Sequence, residues 1–304
     1  MHIETPLLES RPLSAVTGSR IWLKLEALQP TGSFKNRGMG LACETYFEWG
    51  ARRFVTSSGG NAGLAVAYAG RKLGVPVTVV VPGTTSERAM DLLRLEGAEV
   101  LVHGESWQES NDHALSLLDD AAAYLHPFDD ELVWRGHASM MDEVRESGLQ
   151  PDLVVLSVGG GGLLCGVAEG MHRNGWAEVP IIAVETKGAA SFHAAVQAGR
   201  PVKLERLTSI ATTLGAKQVC DKAFEWTKAH DIRPLLVSDG SAVAACERFL
   251  DDHRLLVEPA CGASLAPVYE QSDALKAFNT VLVIVCGGAT VNLEQLRKFG
   301  SDGC

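Results

Sequence analysis

Short β-branched runs and longer amphipathic stretches alternate along the chain. RRFVTSS gives way to GNAGLAVAYAGRKLG, and VPVTVVVPG, SERAMDLLRLEG and AEVLVHG follow in turn. The runs have the length and branching of strands, and the stretches between them have the length and apolar spacing of helices. Such alternation predicts an α/β fold of parallel strands joined by crossover helices. A second series begins at DLVVLSVGGGG, continues through a helix from about Leu163 to Asn174 and then VPIIAVET, and closes near TVLVIVCGGAT. Two series predict two doubly wound open-sheet domains. Gly74 and Gly97 each stand after a periodic segment and before a strand, as expected of helix stops. No fixed-period repeat and no Ser/Gly linker interrupts the pattern, so the two lobes are expected to pack closely.

Composition narrows the classes. With 304 residues, 46% of them hydrophobic and 21% charged, the chain can bury a large core and is neither disordered nor collagen-like. Its 37 acidic residues against 27 Lys and Arg leave a net charge of −10, which argues against non-specific binding to nucleic acid or to an anionic membrane. The longest apolar runs, Val77 to Val81 and Val281 to Val285, fall far short of the roughly 20 residues that cross a bilayer. MHIETPLLES has no basic region followed by an apolar one, and the expected location is the cytoplasm. The seven cysteines (43, 165, 220, 246, 261, 286 and 304) form no CxxC, which fits reduced thiols better than a disulfide framework or a zinc site.

Glycine clusters mark where a ligand would sit. SSGGNAG follows RRFVT, GGGGLL follows DLVVLSV and CGGAT follows TVLVIV, so each lies at the carboxyl end of an expected strand. Ser57 to Gly63 can offer amides and hydroxyls to a carboxylate at a helix start, although a plain helix cap explains one such residue. Gly159 to Gly162 could hold a phosphate, or could form a dinucleotide-binding turn. The latter needs an acidic residue about 20 positions on; Glu169 comes too early and Glu185 is a marginal match. In QPTGSFKNRG, residues 29 to 38, a turn leads to Phe34 and Lys35. A lysine there can form a Schiff base if desolvation lowers its pKa. Taken alone it is an ordinary solvated loop lysine. Asp129, Asp130 and Glu131 read as a capped helix start, and His137 and His193 have no spacing that makes a metal pair or a triad.

TGSFKNRG, SSGGNAG, PFDDELVWRGHAS, SVGGGGLLCGVAEG, VEPACGA and VIVCGGA, in this order, resemble the L-serine/L-threonine dehydratases, pyridoxal-phosphate enzymes of the tryptophan-synthase-β fold type. The resemblance runs from about Thr5 to Arg297. It implies that Lys35 carries the cofactor as a Schiff base with Phe34 against the pyridine ring. Gly159, Gly160, Gly161 and Gly162, with Leu163, would cradle the phosphate, and Asn61 would bond the ring hydroxyl. Ser58, Gly59, Gly60, Asn61 and Ala62 would bind the substrate carboxylate. Cys286 would face the pyridine nitrogen as a neutral thiol, an arrangement that favours loss of a β substituent. A monovalent cation, K+ for example, would lie near the phosphate loop, with the Glu185 carboxylate and backbone carbonyls at Gly159, Ala189, Leu214 and Ala216.

The implied reaction is β-elimination of L-serine or L-threonine to a 2-oxo acid and ammonia. The cofactor phosphate is the candidate proton donor to the departing hydroxyl. The implied assembly is a homodimer in amino-acid catabolism. Chain order places a small lobe at 30–127, carrying Lys35 and the carboxylate loop, within a large lobe of 1–29 and 128–304. Same-fold enzymes of other outcome use similar loops: D-serine dehydratase, serine racemase, threonine synthase and cysteine synthase. A non-catalytic sensor and a nicotinamide dehydrogenase are the readings from other classes. The family varies between Ala and Gly at the position of Gly59, which bears on turnover and substrate preference.

Overall fold

Val77–Val81, Leu153–Ser157 and Ile181–Thr186 are buried at every position, as strands are when helices cover both faces of a parallel sheet. The computed structural model describes residues 1–301. Elements follow in the order β1 (Leu7–Glu9), α1 (Arg11–Thr17), β2 (Arg20–Lys24), α2 (Lys35–Glu48), β3 (Arg53–Thr56), α3 (Asn61–Leu73) and β4 (Val77–Val81). Next come α4 (Glu87–Leu95), β5 (Glu99–Val102), α5 (Trp107–Ser116), β6 (Ala122–Tyr124), α6 (Glu131–Glu146), β7 (Leu153–Ser157) and α7 (Gly162–Arg173). The remainder is β8 (Ile181–Thr186), α8 (Ser191–Ala198), α9 (Asp221–Trp226), β9 (Ile232–Val237), α10 (Asp239–His253), α11 (Pro259–Tyr269), β10 (Thr280–Ile284) and α12 (Leu293–Ser301).

Two sheets result. One has six strands in the order β1-β2-β10-β7-β8-β9, and the other four in the order β5-β4-β3-β6. Only β1 runs antiparallel to its neighbour; every other pairing is parallel. Each sheet therefore has one place where successive strands leave in opposite directions. In the large sheet it lies between β7 and β10, and in the small sheet between β3 and β6. Ligands of open α/β sheets bind outside the carboxyl ends of the strands at such points.

Each sheet has its own core. Phe192, Phe249, Met140 and Met171 pack with the large sheet, while Phe54, Val66, Val79, Leu93 and Leu125 pack with the small one. Full burial of each such side chain stabilises the fold by about 1.5–3 kcal/mol. Helix ends follow local chemistry. Gly74 adopts a left-handed conformation, φ 69°, at the end of α3. The Asp130 side chain caps α6 by accepting from Leu132 N at 2.8 Å, so the acidic stretch is a helix start as expected.

The position of α2 is fixed by charge. Arg37 is fully buried and its guanidinium meets Glu26 at 2.7 Å and Glu143 at 2.6 Å. Lys24, 1% exposed, adds a bond to Glu143, giving two cations and two carboxylates. The carboxylates hold the Arg37 proton more firmly than usual, against the effect of burial. Removing one member of such a set costs about 3–5 kcal/mol. Cys43, Cys165, Cys220, Cys246, Cys261 and Cys286 are buried free thiols; Cys304 lies outside the described residues. No helix among the described residues is long and apolar enough to cross a membrane.

Candidate active site

Lys35 is the first residue of α2, and no side chain caps this helix start. An ammonium at the positive end of a helix is disfavoured, and burial disfavours it further. Burial lowers the amine from 10.5 to about 8. Its Nζ donates to the Pro127 carbonyl, in the loop after β6, and lies 5.2 Å from the centre of the Phe34 ring. The lysine loop is stitched to the end of β10: Phe34 N donates to Cys286 O at 3.1 Å, and Gly288 N donates to Gly32 O at 2.8 Å. Lys35 and Cys286, far apart in sequence, are thus brought together at the switch point of the large sheet. The Cys286 thiol is pushed well above its ordinary pKa by its contact with Cys261 and by burial, so it stays protonated.

Gly159 to Gly161 lie between β7 and α7, and Gly162 is the helix's first residue. Among the described residues, the amide N–H groups of Gly159 to Leu164 donate to no group of the chain. Six unpartnered donors at a helix N-terminus form an anion site. The loop is also pressed from behind: a methyl group at Gly160 would sit 2.2 Å from the Phe128 ring. Gly161 has φ +96°, a conformation open to glycine without strain. Leu163 is buried in the first turn of α7.

Ser57 to Gly63 face this cradle from the small sheet. Ser58 Oγ accepts from Gly60 N at 3.4 Å, and among the described residues the amides of Gly59, Asn61 and Ala62 have no partner in the chain. The Asn61 carboxamide is held at both ends. Its Nδ2 donates to Glu258 at 2.7 Å, and its Oδ1 accepts from Ala289 N at 3.1 Å. One Nδ2 hydrogen remains for a ligand. Glu258 also accepts from Thr213 at 2.5 Å and Thr290 at 2.9 Å, while burial raises its pKa. Glu258 therefore joins the small-sheet loop to two segments of the large lobe. VEPACGA carries part of the resemblance, but the sequence gives no sign that its Glu is buried and bonded to Asn61. Phe128, the back wall of the cradle, likewise carries no sequence signal of that place.

Of the positions expected to hold a cation, Gly159 lies against Leu214, whose Cα would be 3.0 Å from a methyl at Gly159. Glu185, fully buried, accepts from Phe192 N at 2.9 Å and His193 N at 2.7 Å, and burial lifts its pKa to about 7. Ala189 N donates to Thr186 O, and Ala216 N to Leu214 O. Among the described residues there is no group of three or more His, Cys, Asp or Glu able to hold a metal ion.

A lysine with a lowered pKa, a neutral thiol and an anion cradle converge at paired switch points. The family model for "pyridoxal-phosphate dependent enzyme" matches residues 1–287. The chain belongs to that family. Human L-serine dehydratase/L-threonine deaminase is 46% identical, covering 98% of this chain and 94% of the relative. Mouse serine dehydratase-like protein is 48% identical with the same coverages. The solved structure of a fungal L-serine ammonia-lyase from Rhizomucor miehei superposes with a TM-score of 0.94 at 35% identity, covering 100% of this chain and 99% of that one. The fold is that of the type II pyridoxal-phosphate enzymes, as the resemblance implied. The residues fit the cofactor: the cradle supplies free amides for a phosphate, and Lys35 supplies an amine that is readily unprotonated.

Proposed function

We propose that this enzyme eliminates water from L-serine, and from L-threonine, to give pyruvate or 2-oxobutanoate with ammonia. The observation that carries this reading is the pairing of Lys35 with a protonated Cys286 thiol beside the Gly159–Leu163 cradle; the names of the relatives support the substrate class. When bound, pyridoxal phosphate supplies an electron sink for the substrate α carbon. Lys35 holds the cofactor and, once free, takes the α proton as general base. The amides of Ser58 to Ala62 hold the substrate carboxylate, and Asn61, set in orientation by Glu258, bonds the cofactor ring. Cys286 would present a neutral thiol to the ring nitrogen, and Phe34 would cover one face.

On this reading residues 30–127 move as a small lobe against 1–29 and 128–304, closing over the carboxylate to exclude water. A monovalent cation, K+ foremost, is held by Glu185 with carbonyls of Gly159, Ala189, Leu214 and Ala216, hard oxygen donors suited to it. The enzyme works as a cytoplasmic homodimer in amino-acid catabolism. The test is 2-oxo acid production from L-serine, L-threonine and their D forms, with potassium and sodium compared. L-Serine turnover stimulated by potassium is expected. No keto acid, or a dominant D-serine rate, overturns the reading.

A further inference from the structure

His126 stands where the small sheet's strand order reverses, two residues beyond the end of β6. The next residue, Pro127, offers the carbonyl that receives Lys35 Nζ. The one after, Phe128, backs the cradle and meets the His126 ring edge-on at 4.7 Å. On its other side Tyr124 lies 6.1 Å away between ring centres. The Tyr124 hydroxyl is 3.0 Å from that of Ser57, at the root of the carboxylate loop. The ring thus lies between the wall of the cradle and a tyrosine bonded to the root of the substrate loop, with Trp107 6.2 Å away between ring centres.

Its protonation is fixed by the backbone. Nδ1 accepts from Asp129 N at 2.8 Å and Phe128 N at 3.3 Å, so the proton of the neutral ring is on Nε2. Burial, with the Lys35 charge adding to it, lowers the ring to about 4 and keeps it neutral near pH 7. Nε2 has no partner among the described residues, and it is not sealed from the surroundings. The contrast is His137, whose two ring nitrogens are buried without partners, with Gly38 and Gly166 packed against the side chain. His137 fills space, whereas His126, its Nδ1 held by two backbone amides, keeps one N–H without a partner beside the carbonyl that receives Lys35.

We propose that His126 Nε2–H donates a hydrogen bond to the β-hydroxyl oxygen of a bound 3-hydroxy amino acid, stabilising charge on that oxygen as its bond to Cβ breaks. The donor transfers no proton; the proton that completes the departing water would come from the cofactor phosphate, as the resemblance implies. A neutral imidazole is a poor acid but an effective electrophilic donor, and a preorganised donor gains strength as charge develops on its acceptor. The carboxylate already has the free amides of Gly59, Asn61 and Ala62, which leaves the hydroxyl as the group needing a donor on the Lys35 side.

This inference rests on the β-elimination reading, and two substrates separate their failures. L-Serine must lose hydroxide, whereas β-chloro-L-alanine loses chloride, which needs no donor. The experiment compares holoenzyme with His126→Ala and His126→Gln on both, recording kcat, KM and the change in cofactor absorbance on adding substrate. In His126→Ala, kcat on L-serine is expected to fall on the order of 100-fold. The rate on β-chloro-L-alanine and the absorbance change stay within a few-fold, and His126→Gln, which retains an N–H donor, recovers part of the loss. Equal losses on both substrates, or none on L-serine, overturn the role of His126. A wild-type enzyme inert to both overturns the β-elimination reading itself.

Discussion

Two glycine-rich turns face each other across the site, and they are built differently. Gly159 to Gly162 leave β7 with a wall behind them, so that a methyl at Gly160 would lie 2.2 Å from Phe128. Ser58 to Gly60 leave β3 packed at one glycine and roomy at the next. A methyl at Gly59 would sit 2.9 Å from Thr85 Cγ2, whereas one at Gly60 would meet Thr213 Cγ2 at an ordinary 3.6 Å and Ser58 Oγ at 4.0 Å, and the Gly60 backbone is extended, φ −105° and ψ −151°. The first turn is a mould closed from behind, its amides without partners in the chain; the second is a flap with room at Gly60, tied down through one side chain, Asn61, by Glu258. A phosphate that stays bound between turnovers suits the mould, and a carboxylate that arrives and leaves suits the flap.

Gly160→Ala tests this difference most severely. Overpacking costs about 1–3 kcal/mol, and cofactor affinity is expected to weaken on the order of 10- to 100-fold, read by titrating apoprotein with pyridoxal phosphate. Glu258→Ala attacks the tether. It strands donors from Asn61, Thr213 and Thr290, each orphaned donor costing about 1–3 kcal/mol. A denaturation midpoint lower by the equivalent of at least about 2 kcal/mol is expected, with Glu258→Gln recovering most of it.

A gentler probe is the lysine between the two turns. Between about 8 and 10.5 the unfolded chain holds a proton on Lys35 that the folded amine has released. Apoprotein stability therefore rises with pH across this window and levels off above it, and Lys35→Gln should flatten the rise in a denaturant series. Gly60→Ala has the smallest effect. Cofactor affinity is unchanged and KM for L-serine shifts a few-fold at most; a loss as large as that of Gly160→Ala would erase the distinction between mould and flap.

The glycine turns were legible in the sequence because strand, glycines and helix are contiguous, and the alternation that predicts two sheets is equally local. The ties between them were not. Asn61 and Glu258 are 197 residues apart, and only the meeting of a small-sheet turn with the start of α11 makes them partners. Nothing in the sequence marks Arg37 as buried, yet it is fully buried because Glu26 and Glu143 converge on it from β2's exit and from α6. His126 carried no motif at all; its role depends on a backbone turn that uses Nδ1 and leaves Nε2 free.

Every role given to the site depends on the Lys35 amine bonding reversibly to pyridoxal phosphate held by the Gly159–Leu163 mould. Borohydride reduction of the holoenzyme followed by peptide mapping tests it directly. One pyridoxyl group, on Lys35, is expected; a label on another lysine, or none with the cofactor bound, would overturn the role of Lys35.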